Sequence, residues 1–99
     1  MFVAQLDTFD PEFRLPGGGY RGDVSLCIIP GDNAVAALRL LLDHLEKESI
    51  QLKSIDYFGD PGQYQGSTKD MFGFEMEEFA AEARSSNKML FSDTVPYGD

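Results

Sequence analysis

The chain has one cysteine, one histidine, no tryptophan, and only 8 Lys and Arg against 17 Asp and Glu. A single cysteine, Cys27, allows no intramolecular disulfide, which excludes a disulfide-stapled secreted scaffold. It lies in the apolar run Val24–Ile29, where cysteine packs as a small hydrophobe, and no neighbouring cation is present to activate the thiol. With one histidine there is no H-E-x-x-H pair, and the aspartates do not follow the D-x-D-x-D-G calcium pattern. No metal site or cofactor is therefore expected. The shortage of basic residues leaves a formal charge of −9, which disfavours direct binding to nucleic acid or to an anionic membrane. No apolar stretch approaches a bilayer span. The first residues, Met1–Asp7, carry no basic region and meet an acid early, unlike a signal peptide, so a cytoplasmic location is expected.

What is present is ordinary for a globular protein. Ninety-nine residues, 42% hydrophobic and 25% charged, predict one domain over 1–99 with a single core. Phe2, Ala4 and Leu6 share one side of an extended chain and predict a first strand. Asp7–Gly22 contains Pro11, Pro16 and Gly17–Gly19, which predicts a mobile loop. Tyr20–Ile29 reads as a second strand. Both of its faces are apolar, so it should be central. Pro30–Asn33 ends that strand, and Asp32 or Asn33 caps a helix running to about Glu48. On that helix Ala34, Val35, Leu38, Leu41, Leu42 and Leu45 fall within an arc of about 120°, the expected buried face.

Ile50–Phe58 predicts a third strand, with a bulge near Lys53–Ser54 reconciling the parity of Leu52 with that of Ile55; alternatively Ile50 belongs to the turn. Strand, helix and strand here predict a crossover joining parallel strands. Gly59–Gly73 reads as a second long, mobile loop. A shorter helix over Glu75–Ser85 should bury Met76, Phe79, Ala80 and Ala83. Met89–Val95 predicts a last strand, with Pro96–Asp99 frayed beyond it. The order β-β-α-β-α-β predicts an α+β, two-layer sandwich: a mixed four-stranded sheet covered by two helices. Its expected core includes Leu6, Val24, Leu26, Ile28, Leu38, Leu41, Leu42, Leu45, Ile55 and Phe79.

The chemical motifs are thin. Asp56, Asp60 and Asp70 bracket a glycine-rich loop, but Asp60 before Pro61–Gly62 is a turn former by type. His44 lies between the apolar and charged arcs of its helix. Gly62–Lys69 has the residue types of a phosphate-binding loop in the wrong order, since lysine should follow the second glycine directly. Ser25, Ser49, Ser54 and Ser67 lack a nucleophile-elbow context. No catalytic residue is assigned, and no enzyme is expected.

The informative feature is the distribution of charge. Residues 56–99 carry nine Asp and Glu against Lys69, Arg84 and Lys88, a net of −6 out of −9. Glu75, Glu78 and Glu82 recur at i, i+3 and i+7 and so share a helix face. Such a face serves solubility in many proteins. Aromatic residues set among acids also suit contact with a basic partner. The candidate partner-binding residues are Asp60, Tyr64, Asp70, Phe72, Glu75, Glu78 and Glu82. The expected function is a small acidic protein-binding module that neutralises a basic macromolecule, as an immunity-type or phage-type inhibitor of a nuclease or nucleic-acid-binding protein does. The alternatives are an accessory subunit whose acidity is incidental and a small metal-dependent enzyme using the loop carboxylates.

Overall fold

The computed structural model describes residues 1–13, 16–66 and 68–98; Arg14 and Leu15 of the first connection, Ser67 and Asp99 lie outside them. Among the described residues five strands form one sheet: β1 (Phe2–Phe9), β2 (Tyr20–Ile29), β3 (Gln51–Gly59), β4 (Leu90–Phe91) and β5 (Val95–Gly98). The helices are α1 (Ala34–Lys47), α2 (Thr68–Phe72) and α3 (Met76–Ser86), with a 3-10 turn at Pro61–Gln63. Sheet order is β3-β1-β2-β4, with β5 also paired to β2, and every pairing is antiparallel. The expected mixed, four-stranded sheet is corrected accordingly. β2 and β3 do run in the same direction, as the crossover through α1 requires, but β1 lies between them.

The layers also differ from expectation. Side chains alternate across a strand, so Cys27 and Ile29 of β2 face one way and Leu26 and Ile28 the other. Cys27 and Ile29 pack with Ala4, Leu6 and the Ala37, Leu41 and Leu45 stripe of α1. Ile28 packs with Phe79, Ala80 and Ala83 of α3. The two helices therefore lie on opposite faces, making three layers rather than two, and this is why β2 is apolar on both sides.

Helix α1 begins where Asn33 Oδ1 accepts the Ala36 N–H at 3.0 Å, so Asn33 rather than Asp32 is the cap. Its buried stripe is Ala37, Leu41 and Leu45 with Leu38 half-buried, while Val35 and Leu42 are 65% and 41% exposed. At 100° per residue the inward face is turned about 60° from the expected arc, and Ala34 is exposed with the other two. The small Ala37 lets the helix approach the sheet on that side. Helix α3 buries Phe79, Ala80 and Ala83 with Met76 half-buried, as its sequence predicts, and starts one residue later. Of the expected core, Val24 and Ile55 are half-buried.

Strand β3 resolves its own parity through two bulges. Pairing with β1 skips Lys53 between Ser54 and Leu52, and skips Asp56 between Tyr57 and Ile55. Each extra residue turns the following side chain over, so Leu52, Ile55 and Phe58 all join the α1 layer despite a spacing of three. Ile50 belongs to the turn before the strand. β1 extends through Phe9, taking Asp7, Thr8 and Phe9 out of the expected loop. Gly17–Gly19, all at φ between 80° and 84°, form the bend before β2, a conformation that glycine adopts at little cost.

The C-terminal segment departs furthest from its prediction. Instead of one strand and a frayed tail there are two short strands lying end to end along β2. Ser92 fills the gap between them: its N–H donates to the Leu26 carbonyl at 2.8 Å and its Oγ accepts the Leu26 N–H at 2.8 Å. Tyr97, expected to be loose, donates its hydroxyl to Asp7 Oδ2 at 2.6 Å, ninety residues away. Gly59–Gly73 likewise is not a plain loop, because it contains the 3-10 turn and α2.

Candidate functional site

The connection from β3 to α3 assembles the candidate surface. Asp60 caps the 3-10 turn, with the Gly62 N–H donating to its Oδ1 at 2.6 Å. The Tyr57 hydroxyl donates to the Asp60 carbonyl at 2.8 Å, tying the turn back to the end of β3. Tyr64 follows, its ring edge-on to Tyr57 at 5.3 Å between centroids, and its hydroxyl donates to Gln5 Oε1 at 2.6 Å on β1. Burial pushes the Tyr64 phenol above its ordinary value, so it remains a neutral donor. A Cβ at Gly66 would run into the Tyr64 ring, so glycine is needed where the chain passes it.

Helix α2 is a single turn tied to the segment that leads into α3 by the Thr68 hydroxyl, which donates to the Phe74 carbonyl at 2.7 Å. Gly73, at φ 77°, ends the turn. The Phe72, Phe74 and Phe79 rings then pack in sequence, at 6.0 and 4.4 Å between centroids, seating α3 on the sheet. With Phe79, Ala80 and Ala83 inward, Glu75, Glu77, Glu78 and Glu82 are all exposed.

The seven candidate residues do not form one tight cluster. Asp60 and Tyr64 line a cleft of about 510 Å³ between the 3-10 turn and α3. Glu75 sits at the N-cap of α3 without capping it, and pairs instead with Lys69 at 3.4 Å. Glu78 and Glu82 are one helical turn apart on the solvent side, and among the described residues neither is in an ion pair. Asp70 is exposed on α2, and Phe72 is half-buried against Phe74. The cleft is lined on its α3 side by Met76, Glu77, Ala80 and Arg84, so Glu75, Glu78 and Glu82 lie on the other flank of the helix and the candidate residues divide between two surfaces.

Sequence reasoning missed Glu77, Met76, Ala80 and Arg84, which line the α3 side of that cleft. Their spacing of three and four residues is a signal for a shared helix face, but nothing in it indicates a cleft. Also missed was a polar cluster on the same face of the sheet. Asp7 accepts from Tyr97, and Lys53 Nζ donates to the Arg21 carbonyl at 2.8 Å and to Tyr97 Oη at 3.3 Å. Among the described residues no group of three or more His, Cys, Asp or Glu is arranged to hold a metal ion, and no helix is long and apolar enough to cross a membrane. The sequence matches no family model, and comparisons with curated proteins and with solved structures gave no match.

Proposed function

We propose that the chain is an acidic protein-binding module that neutralises a basic macromolecular partner, a nuclease or nucleic-acid-binding protein, in the manner of an immunity-type or phage-type inhibitor. One observation carries the reading. α3 holds Glu78 and Glu82 at i, i+4 on its exposed face with no described cation against either. Like charges so placed destabilise a helix by a few tenths of a kcal/mol, a local cost that a basic partner would reverse. On the other flank of the helix Glu77 lines the cleft opposite Asp60 and Tyr64, a lining that suits a partner's lysine or arginine side chain. Arg84 at the cleft makes the recognition selective, because a partner cation must be placed on the Asp60 and Glu77 side of it.

The test is affinity capture from lysate by the immobilised chain in parallel with its Glu78→Lys/Glu82→Lys variant. A basic nuclease or nucleic-acid-binding protein held by the first and lost by the second supports the proposal. A neutral partner held equally by both would instead make the chain an accessory subunit whose acidity is incidental.

A further inference from the structure

The opposite face of the sheet carries a second concavity that the acidic α3 surface does not use. Beneath the C-terminal end of α1, two adjoining compartments of about 360 and 320 Å³ share Thr8, Glu48, Ile50 and Thr94. This is within the usual range for small-molecule sites. Strand pairing explains the floor: Leu6 opposes Ser25 and Thr8 opposes Asp23, all four on the α1 side. The hydrophobic stripe of α1 ends at Leu45, so the last polar residues of that floor have no helix above them.

Three features of the floor and walls point to a ligand. Thr8 and Ser25 are only 7% and 5% exposed, yet their hydroxyls make no hydrogen bond to the described residues and are not sealed from solvent. They open onto the groove they line. Buried hydroxyls are ordinarily paired, so two unpaired ones lining a concavity mark positions for an incoming polar group. Among the described lining residues, the outer compartment carries only one sign of charge. Asp23, 8% exposed and accepting the Tyr20 hydroxyl at 2.7 Å, lies with Asp10 and Glu48, and no Lys or Arg is among the described lining residues. The inner compartment is mostly apolar, walled by Leu6, Leu45 and Ile50 and by Phe91, on which the His44 ring stacks at 4.6 Å.

We infer that this groove binds a small organic ammonium with an apolar body. The ammonium would lie at Asp23 and donate to the Thr8 and Ser25 hydroxyls, with its apolar body against Phe91 and Leu45. A carboxylate in place of the ammonium would meet Asp23, Asp10 and Glu48, all of its own sign, and would be repelled. A neutral alcohol of the same shape keeps the apolar contact but loses the charge-assisted bonds.

The experiment is a titration of the full chain, followed by amide chemical shifts, with phenethylamine, phenethyl alcohol and hydrocinnamate. Saturable shifts at Thr8, Ser25, His44 and Ser92 are expected with phenethylamine. Binding of the alcohol should be weaker by roughly tenfold or more, and hydrocinnamate should not bind. Asp23→Asn should lower phenethylamine affinity by roughly tenfold while leaving that for the alcohol unchanged. Should Asp23→Asn disturb the fold through Tyr20, Thr8→Val keeps the side-chain shape and should weaken the amine several-fold. Absence of saturable shifts at these residues, equal binding of amine and carboxylate, or an unaltered amine affinity in a folded Asp23→Asn variant would each overturn the inference.

Discussion

At Gly22 a Cβ would lie 2.8 Å from Asp7 Oδ1 and 2.9 Å from both the Thr8 carbonyl and the Tyr97 hydroxyl. All three neighbours are held in place, the Thr8 carbonyl by strand pairing and the Asp7 and Tyr97 side chains by the hydrogen bond between them. Gly22→Ala should therefore destabilise the fold by about 1–3 kcal/mol, read from urea unfolding. Asp7 Oδ1 is buried with no hydrogen-bond partner, so the carboxylate depends on the Tyr97 donor at Oδ2. Tyr97→Phe removes that donor and should cost about 1–3 kcal/mol, together with faster hydrogen exchange in β5. Cys27 is a third case. Burial pushes its thiol far above the ordinary value, so the folded state disfavours the thiolate. Its contribution to stability is complete below the unfolded value near pH 8.5 and declines as pH rises beyond it, towards the raised folded value. Alkylation at pH 8 should be slower than in urea by about a thousandfold or more, and Cys27→Ala should remove this part of the alkaline loss. Rapid labelling of the native chain would place Cys27 at the surface.

At the scale of elements, the clearest contrast is between two adjacent leucines. Leu41 is fully buried under α1, whereas Leu42 is 41% exposed. Leu41→Ala should cost about 2–5 kcal/mol and Leu42→Ala less than about 1 kcal/mol. Equal losses would mean that the helix faces the way its hydrophobic arc suggests. That arc was misleading because Val35 and Leu42 are apolar but unburied, while the contact side is set by Ala37, whose small side chain gives little hydrophobic signal. Elements whose local pattern matches their packing were legible: β2 has its expected ends, α3 buries its expected residues, and the bulge at Lys53 follows from the parity of Leu52 and Ile55. What could not be read depends on distant partners. Tyr97 and Asp7 are ninety residues apart, and nothing near Tyr97 reveals that the tail completes the sheet. The three-layer arrangement was partly written into β2, whose two apolar faces require cover on both sides. The candidate site was legible to the same degree. The shared face of Glu75, Glu78 and Glu82 follows from helix periodicity, but the cleft joining Asp60 to Tyr64 needs the 3-10 turn and the bond from Tyr64 to Gln5.

For the molecule as a whole, the sheet separates two surfaces of different character. On one side α3 presents Glu78 and Glu82 to solvent and, on its other flank, lines an open cleft with Glu77; beyond the sheet, the end of α1 leaves a groove with buried hydroxyls and an apolar inner wall. The central claim is that the acidic side meets a basic partner. The net negative charge of α3, Glu77, Glu78 and Glu82 against Arg84, steers association over a range set by salt, about 10 Å at 0.1 M and about 3 Å at 1 M. Dissociation depends instead on the groups buried at the interface, with Tyr64 and Phe72 the candidate anchors. The measurement that decides between function and mere solubility is the association rate with the captured partner, taken across that salt range for the wild-type chain and for Glu78→Lys/Glu82→Lys. The account predicts a steep fall with salt in the wild type. It also predicts a slowed, weakly salt-dependent association in the variant, with folding stability little changed in both. An association rate independent of salt, with the variant binding as fast as the wild type, would contradict it.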